Sequence, residues 1–321
     1  MNINKELLDK YQVRKTAKQK DKFIKFACEQ CQAAGYKCSL NENKRGFKSC
    51  NIIAGDIEKA KIIFTAHYDT CARLLFPNLI TPTNPFLFII SQIILALPYL
   101  VLLFAVQFLQ RWLLNTIQFE NKTVDIIFTL AVALLILAAY IGIVATMLAG
   151  PANKHTANDN TSGVATLFEL MRRLPEKDRE KVAFVFFDHE ELGLIGSSYF
   201  KKCFGKKLDE KLVINFDCVS DGNNFLFACK KEAQQHPYYQ QLFACFNEHL
   251  EKSADRVIFT KKAIYPSDQL MFKHGIGVAA LNKCAIGLYL GRIHTGRDVI
   301  FKEENIMRLA QSGAMLVSSI E

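Results

Sequence analysis

The sequence places its ionisable side chains where short apolar runs stop. Residues 182–187 read V-A-F-V-F-F and end in Asp188-His189-Glu190-Glu191. A run this short and this rich in β-formers predicts a fully buried strand rather than a free-standing helix. Its polar end is then the point where a strand leaves its sheet, which is where open α/β folds bind ligands. Two adjacent glutamates repel each other there. A metal ion on one and a catalytic proton on the other relieves the repulsion, because a bound divalent cation reverses the local electrostatic cost. His67 closes a second β-type run, 61–66, and Asp69 follows it closely. That spacing suits a metal-ligating imidazole whose second ring nitrogen is held by a carboxylate. Asp159 lies in N-D-N-T-S-G ahead of an apolar-periodic helix over 164–174, where amide hydrogens and the helix dipole stabilise a carboxylate. Asp217 ends a third buried run, 211–216, and His294 stands in I-H-T-G-R-D.

The elements that must position these groups are legible in outline. Leu7, Leu8, Tyr11, Phe23, Ile24, Phe26, Ala27 and Cys31 recur at helical spacing, predicting a helical region over 4–35 that Gly35 stops. Short strands are expected at 51–54 and 61–66 around a turn at Gly55-Asp56. Small residues from Gly193 to Ser197 permit a tight turn into another helix. Further on, Ser267-Asp268-Gln269 opens a helix that closes at Gly275, 278–281 and 285–290 read as strands, and a terminal helix runs to 320.

Between His67 and Asp159 the composition changes. No charged residue occurs between Arg73 and Arg111, and 126–150 is a second uncharged stretch. Each is long enough to cross a bilayer as a helix of about 20 residues, so 76–150 predicts a transmembrane helical hairpin. Pro98 is expected to kink its first helix, which lipid-embedded helices tolerate when neighbours satisfy the freed carbonyl. The flanking pieces, 1–75 and 151–321, then form one discontinuous domain on one side of the membrane. Arg111 and Lys122 in the connecting loop offset Arg73 and Lys154 outside it, so the positive-inside rule does not choose a side.

The net charge of +9 is spread along the chain, without an Arg-rich arm, zinc-finger spacing or ribonucleoprotein motif. Nucleic acid is therefore excluded as a partner, and the basic surface is assigned to anionic lipid. The ten cysteines lack the spacing of a disulfide framework, and Cys28-x-x-Cys31 has no second pair to complete a zinc site. Reduced thiols and the missing secretory signal at the N-terminus place the catalytic domain in the cytoplasm as part of an integral membrane protein.

In chain order, H-Y-D-T, N-D-N-T-S-G, F-F-D-H-E-E-L-G-L-I-G-S, N-F-D, S-D-Q-L-M-F-K-H-G-I and H-T-G-R-D resemble the co-catalytic di-zinc aminopeptidases. That family includes bacterial leucyl-type aminopeptidases and has glutamate carboxypeptidase and glutaminyl cyclase as relatives. The resemblance runs from about Arg14 to the C-terminus, leaving out 76–150. It implies an α/β fold, a three-layer α/β/α sandwich around a mixed, mainly parallel sheet, with the hairpin inserted. It also implies two zinc ions, with cobalt or manganese as alternatives. Asp159 would bridge them, His67 and Asp217 would complete one site, and Glu191 and His294 the other. Asp69 would hold His67, Glu190 would be the general base, and Asp298 would support the site from behind. His155, His236, His249 and His274 are read as surface or helix residues.

The charge count supports that assignment. Two divalent cations bring four positive charges; Asp159, Glu191 and Asp217 cancel three, and a hydroxide cancels the fourth, so the cluster suits a partly buried cleft. Imidazoles with carboxylates fit zinc, and three protein ligands per ion leave room for water and substrate. The expected activity is release of N-terminal residues from peptides with a free N-terminus, through a water shared by the ions with Glu190 as base. Glutaminyl cyclisation, which in the family's pattern uses one working ion, is the rival chemistry. A non-catalytic membrane receptor or scaffold is the rival from another class. Two departures concern substrate geometry: His189 occupies a position usually small, and Ile293 stands where relatives often carry a tyrosine, with Tyr265 as the candidate substitute.

Overall fold

A computed structural model of the chain describes residues 2–45, 48–74, 78–252, 254–285 and 287–320. In chain order the elements are α1 (Ile3–Lys10), α2 (Ala17–Ala33), β1 (Cys38–Asn43), β2 (Ser49–Ala54), β3 (Ile62–His67), α3 (Pro85–Thr116), α4 (Lys122–Ala149), α5 (Gly163–Arg173) and β4 (Val182–Phe187). They continue with α6 (Ile195–Phe204), β5 (Leu212–Phe216), β6 (Asn224–Cys229), α7 (Tyr239–Leu250), β7 (Arg256–Thr260), β8 (Gly275–Cys284), β9 (Gly287–Tyr289) and α8 (Glu303–Ser319). The sheet runs β1-β2-β4-β3-β5-β8-β6-β7, with β9 on β8. Its centre, β4-β3-β5-β8, is parallel, and the flanking pairs β1–β2, β2–β4 and β6–β8 are antiparallel. The sheet is mixed and helices cover both faces, as expected of the three-layer α/β/α class.

Both faces of the central strands are buried, and the alternation along β4 shows why. Val182, Phe184 and Phe186 enter the core beneath α2, α5 and α8, where Phe64 stacks between Phe184 and Phe216 at 5.9 Å from each. Ala183, Val185 and Phe187 enter the opposite core with Phe200 of α6 and Phe272. An apolar run without polar alternation is what a strand covered on both sides requires.

Some expectations are corrected. The helical region over 4–35 is two helices, because Arg14 turns inward between them; Thr16 and Gln19 then form a reciprocal cap that starts α2. The run opening at Ser267 is a single 3-10 turn, Asp268–Met271. Cys28 of α2 and Cys38 of β1, with Cα atoms 5.5 Å apart, form a disulfide, so the thiols are not all reduced. The turn after α2 folds β1 back beside the helix, a proximity the spacing of cysteines along the chain does not show. Cys31 is a free, buried thiol, as expected for a helix-face residue.

Helices α3, 32 residues long, and α4, 28 residues, form an antiparallel hairpin. Both are long and apolar enough to cross a bilayer, and their spans are 0% and 11% buried. Asn84 caps α3 with Pro85 in its first turn, Pro98 lies within the helix, and Asn121 caps α4. The Tyr140 hydroxyl donates to Gln107 Oε1 across the pair at 2.7 Å. At the base of the hairpin Ile80 pairs with Leu290 and Ala72 with Ala152.

Candidate metal centre

The sheet order brings distant parts of the sequence together. β4, β3 and β5 are parallel neighbours about 4.8 Å apart, so their C-terminal ends set Glu190 and Glu191, His67 and Asp217 side by side. Asp159 and His294 arrive from two loops above those ends. His67 Nε2 lies 3.3 Å from Asp159 Oδ1 and 3.5 Å from Asp217 Oδ1; His294 Nε2 lies 3.0 Å from Asp159 Oδ2 and 3.3 Å from Glu191 Oε2. Asp159 therefore turns one carboxylate oxygen to each histidine. Asp69 Oδ1 is 3.5 Å from His67 Nδ1.

The supporting contacts explain why these side chains stay in place. Asp69 accepts the amide hydrogens of Glu190 at 3.0 Å and Glu191 at 3.2 Å. Asp298 accepts those of Asn158 at 2.8 Å and Asp159 at 3.0 Å. Asn158 Oδ1 in turn accepts from Ser220 and Asp221, and Asn160 bridges Phe216, Gly163 and Cys218, which joins the Asp159 turn to the Asp217 loop. Close approach explains two glycines. A Cβ on Gly163 would meet the Phe216 carbonyl oxygen at 2.3 Å, and one on Gly196 the Asp188 carbonyl oxygen at 2.2 Å. His189, Cys218 and His294 hold φ of 56°, 56° and 61°, a left-handed conformation that non-glycine residues adopt at some cost and that clusters at functional sites.

The electrostatics would suit a bound cation. Burial pushes Asp159 upward, yet hydrogen bonds from His294 and His67 outweigh it and hold its carboxyl below the usual range. Burial alone would lower both histidines. The Glu190 charge and the bonds to Asp159 and Asp217 carry His67 well above its ordinary value, and the Glu191 charge and Asp159 carry His294 up to about 9. Burial pushes Glu190 well up, followed by the charges of Asp217 and Glu191, and takes Glu191 up to about 8. Imidazoles whose charged form is favoured in this way sit at the centre of a carboxylate cluster, where divalent cations would serve the same electrostatic purpose.

Donor atoms of His67, Asp159 and Asp217 lie within 4.8 Å of one another, as do those of Cys71, Asp159, Glu191 and His294, and those of His67, Glu190 and Glu191. Among the described residues Glu191 Oε1 is buried without a hydrogen-bond partner. An orphaned carboxylate oxygen beside an imidazole fits a metal ligand. Among the described residues His155, His236, His249 and His274 belong to none of these groups. Tyr265 does not reach the opening: it is buried and its hydroxyl donates to the Asp217 carbonyl at 2.9 Å. His189 stands on the rim, with Lys20 Nζ 3.2 Å from its ring nitrogens and 2.5 Å from Asp188 Oδ1.

Residues 138–316 match Peptidase family M28. The chain belongs to that family. No curated protein matches the chain. Among solved structures this M28 chain is similar to a Zn-dependent exopeptidase from Parabacteroides distasonis, at TM-score 0.59 and 13% identity over 99% of this chain and 95% of that one. It is also similar to two structures from Bacteroides thetaiotaomicron. One is a glutaminyl cyclase bound to N-acetylhistamine, at 0.58 and 14% over 99% and 96%; the other is a leucine aminopeptidase precursor, at 0.56 and 14% over 99% and 95%. At such identities the likeness is one of fold.

Several residues of this M28 site had no role assigned from the sequence. Arg14 is fully buried and joins the two ligand loops: its side chain donates to the Tyr68 carbonyl and to Thr161 Oγ1, and its amide to Thr70 Oγ1. Asp268 is fully buried, and among the described residues neither of its oxygens has a hydrogen-bond partner. Burial carries it up to about 7 against the pull of the His67 charge. The S-D-Q motif pointed to its turn; Arg14 had no local signal, since a lone arginine between two helices usually faces solvent.

Proposed function

We propose that this M28 protein is a zinc-dependent aminopeptidase that releases N-terminal residues from peptides. The observation that carries the reading is Asp159, with one oxygen toward His67 and the other toward His294, beside a Glu190 whose backbone is tied to Asp69. His67, Asp217 and Asp159 would hold one zinc ion, and Glu191, His294 and Asp159 the second. When bound, such ions polarise the scissile carbonyl and lower the pKa of water. The chain supplies the rest. Glu190 Oε takes the proton from the attacking water and returns it to the departing amine, and Asp69 orients His67 and the two glutamates. Burial raises Glu190 above the ordinary carboxylate range, the direction that makes a carboxylate a better proton acceptor.

Residues 76–150 form a transmembrane insertion in a catalytic domain made of 1–75 and 151–321. Two observations support this: the apolar surfaces of α3 and α4 are exposed, and the insertion leaves and returns beside the segment that carries His294, with Leu74 N donating to the His294 carbonyl and Asn153 Nδ2 to the Thr295 carbonyl. The bilayer then lies close to the site, and short, apolar or membrane-associated peptides are the substrates. The eight unpaired cysteines favour the cytoplasmic face. The Cys28–Cys38 pair favours the other, since disulfides persist in oxidising compartments.

Replacing Glu190 by Gln tests the chemistry. We expect kcat on aminoacyl reporters to fall by about 10²–10⁴-fold with zinc content unchanged; undiminished turnover removes Glu190 from the mechanism. The cyclase neighbour supports a second reading, acyl transfer on N-terminal glutamine. Peptides with N-terminal glutamine decide between them: free glutamine marks hydrolysis, whereas ammonia with a pyroglutamyl peptide marks cyclisation. N-terminally blocked peptides should be inert.

A further inference from the structure

Cys71 is a free thiol, 3% exposed, that lies four residues beyond His67. Its surroundings are not those of a packing cysteine. Cys31 and Cys229 sit in the main apolar core and Cys218 in a smaller apolar cluster, whereas Cys71 belongs to none of these clusters among the described residues. It faces carboxylates instead. After burial, which pushes its thiol well above the ordinary value, the charges of Glu191, Asp159 and Asp298 push it further.

The backbone holds it there. The Cys71 carbonyl accepts from Asn153 N, Arg73 N donates to the Pro151 carbonyl, Leu74 N donates to the His294 carbonyl, and Asn153 Nδ2 donates to the Thr295 carbonyl. The segments bearing Cys71 and His294 are thus tied to the same strip of chain. Cys71 Sγ and donor atoms of Asp159, Glu191 and His294 all lie within 4.8 Å of one another. The second observation is independent of the thiol: the Glu191 side chain is only 10% exposed, and among the described residues its buried Oε1 has no partner.

We propose that Cys71 is a fourth protein donor to the ion held by Asp159, Glu191 and His294. The proposal rests on the two-metal reading above and adds to it a thiolate that the charge count lacked. Asp159, Glu191, Asp217 and Cys71 together balance two divalent cations without a hydroxide. The two positions are then unlike each other. His67, Asp217 and Asp159 offer only nitrogen and oxygen, while the Cys71 position adds a sulfur donor of a kind that selects zinc or cadmium over manganese or magnesium. Thiol oxidation or alkylation would weaken that position alone.

The test uses the full chain with Cys203→Ser and Cys284→Ser, which removes the two exposed thiols. This protein is loaded with cobalt(II) alone, and its metal content and near-ultraviolet absorption are measured. We expect a sulfur-to-cobalt charge-transfer band, lost in the further variant Cys71→Ser at equal cobalt content. Bound cobalt without the band, or a band that survives Cys71→Ser, overturns the proposal and leaves the metal centre standing. Failure to bind cobalt at all overturns both. Should Cys71→Ser not fold, the cadmium-113 spectrum of the Cys71-containing protein decides: one resonance is expected downfield of the other, and two resonances in the nitrogen–oxygen region overturn the assignment.

Discussion

Asp69 accepts the amide hydrogen of Glu190 at 3.0 Å. The same carboxylate accepts from Glu191 and faces His67 Nδ1, so one buried side chain sets the base, a ligand of one proposed ion and a ligand of the other. Asp69→Asn keeps the shape but turns an amide donor toward one of these N–H groups. We expect activity or metal affinity to fall by roughly 10–100-fold, as for other groups that orient metal ligands. Chelator competition and kcat, measured on the same preparation, check it.

Metal binding should be steeply pH-dependent. In the metal-free protein burial takes Glu191 up to about 8, and the Glu191 charge with the Asp159 bond takes His294 up to about 9 despite burial. Between them the pair holds at least one proton in this range, and it must leave before a cation can bind. Affinity therefore rises with pH, by at least about tenfold per unit from about pH 6 to 8 if one or more protons are displaced. Calorimetry in buffers of different protonation enthalpy measures the protons released. A flat profile would show that these groups are not the ligands.

Arg14 is a stability prediction. Its guanidinium is the buried cation behind Asp69 and Asp159, and burial lowers it to about 10 against their pull. Arg14→Met leaves the Tyr68 carbonyl and the buried carboxylates without it. Removing one partner of a buried charged network costs about 3–5 kcal/mol, so the unfolding midpoint in detergent should drop sharply, with metal affinity falling alongside. An unchanged midpoint would show that Arg14 contributes nothing to joining the ligand loops.

The proposed membrane insertion and its orientation are tested at Cys203 and Cys284, the exposed thiols. A cytoplasmic catalytic domain predicts that an impermeant maleimide labels neither in intact cells and both after permeabilisation. Labelling without permeabilisation places the domain outside, where the Cys28–Cys38 disulfide would persist.

Much of this protein is written in local patterns. Val182–Phe187 is apolar without alternation, and that alone marks a strand covered on both faces. The long uncharged runs fix two membrane-length helices. The order and types of His67, Asp159, Glu190, Glu191, Asp217 and His294 were legible because each stands at a strand end or in a turn, where the pattern breaks from apolar to ionisable, and because together they follow the order of a known family. Arg14, Cys71 and Asp268 were not. Each acts through neighbours far away in the chain, and no local periodicity separates a buried arginine or an ion-facing thiol from an ordinary one. The same reason hid the meeting of Cys28 with Cys38. Only the sheet order, with β3 between β4 and β5, decided that Asp159 would face both histidines and that Asp69 would hold both glutamates. Such pairings depend on which strands become neighbours, and that is settled by burying both faces of the sheet at once.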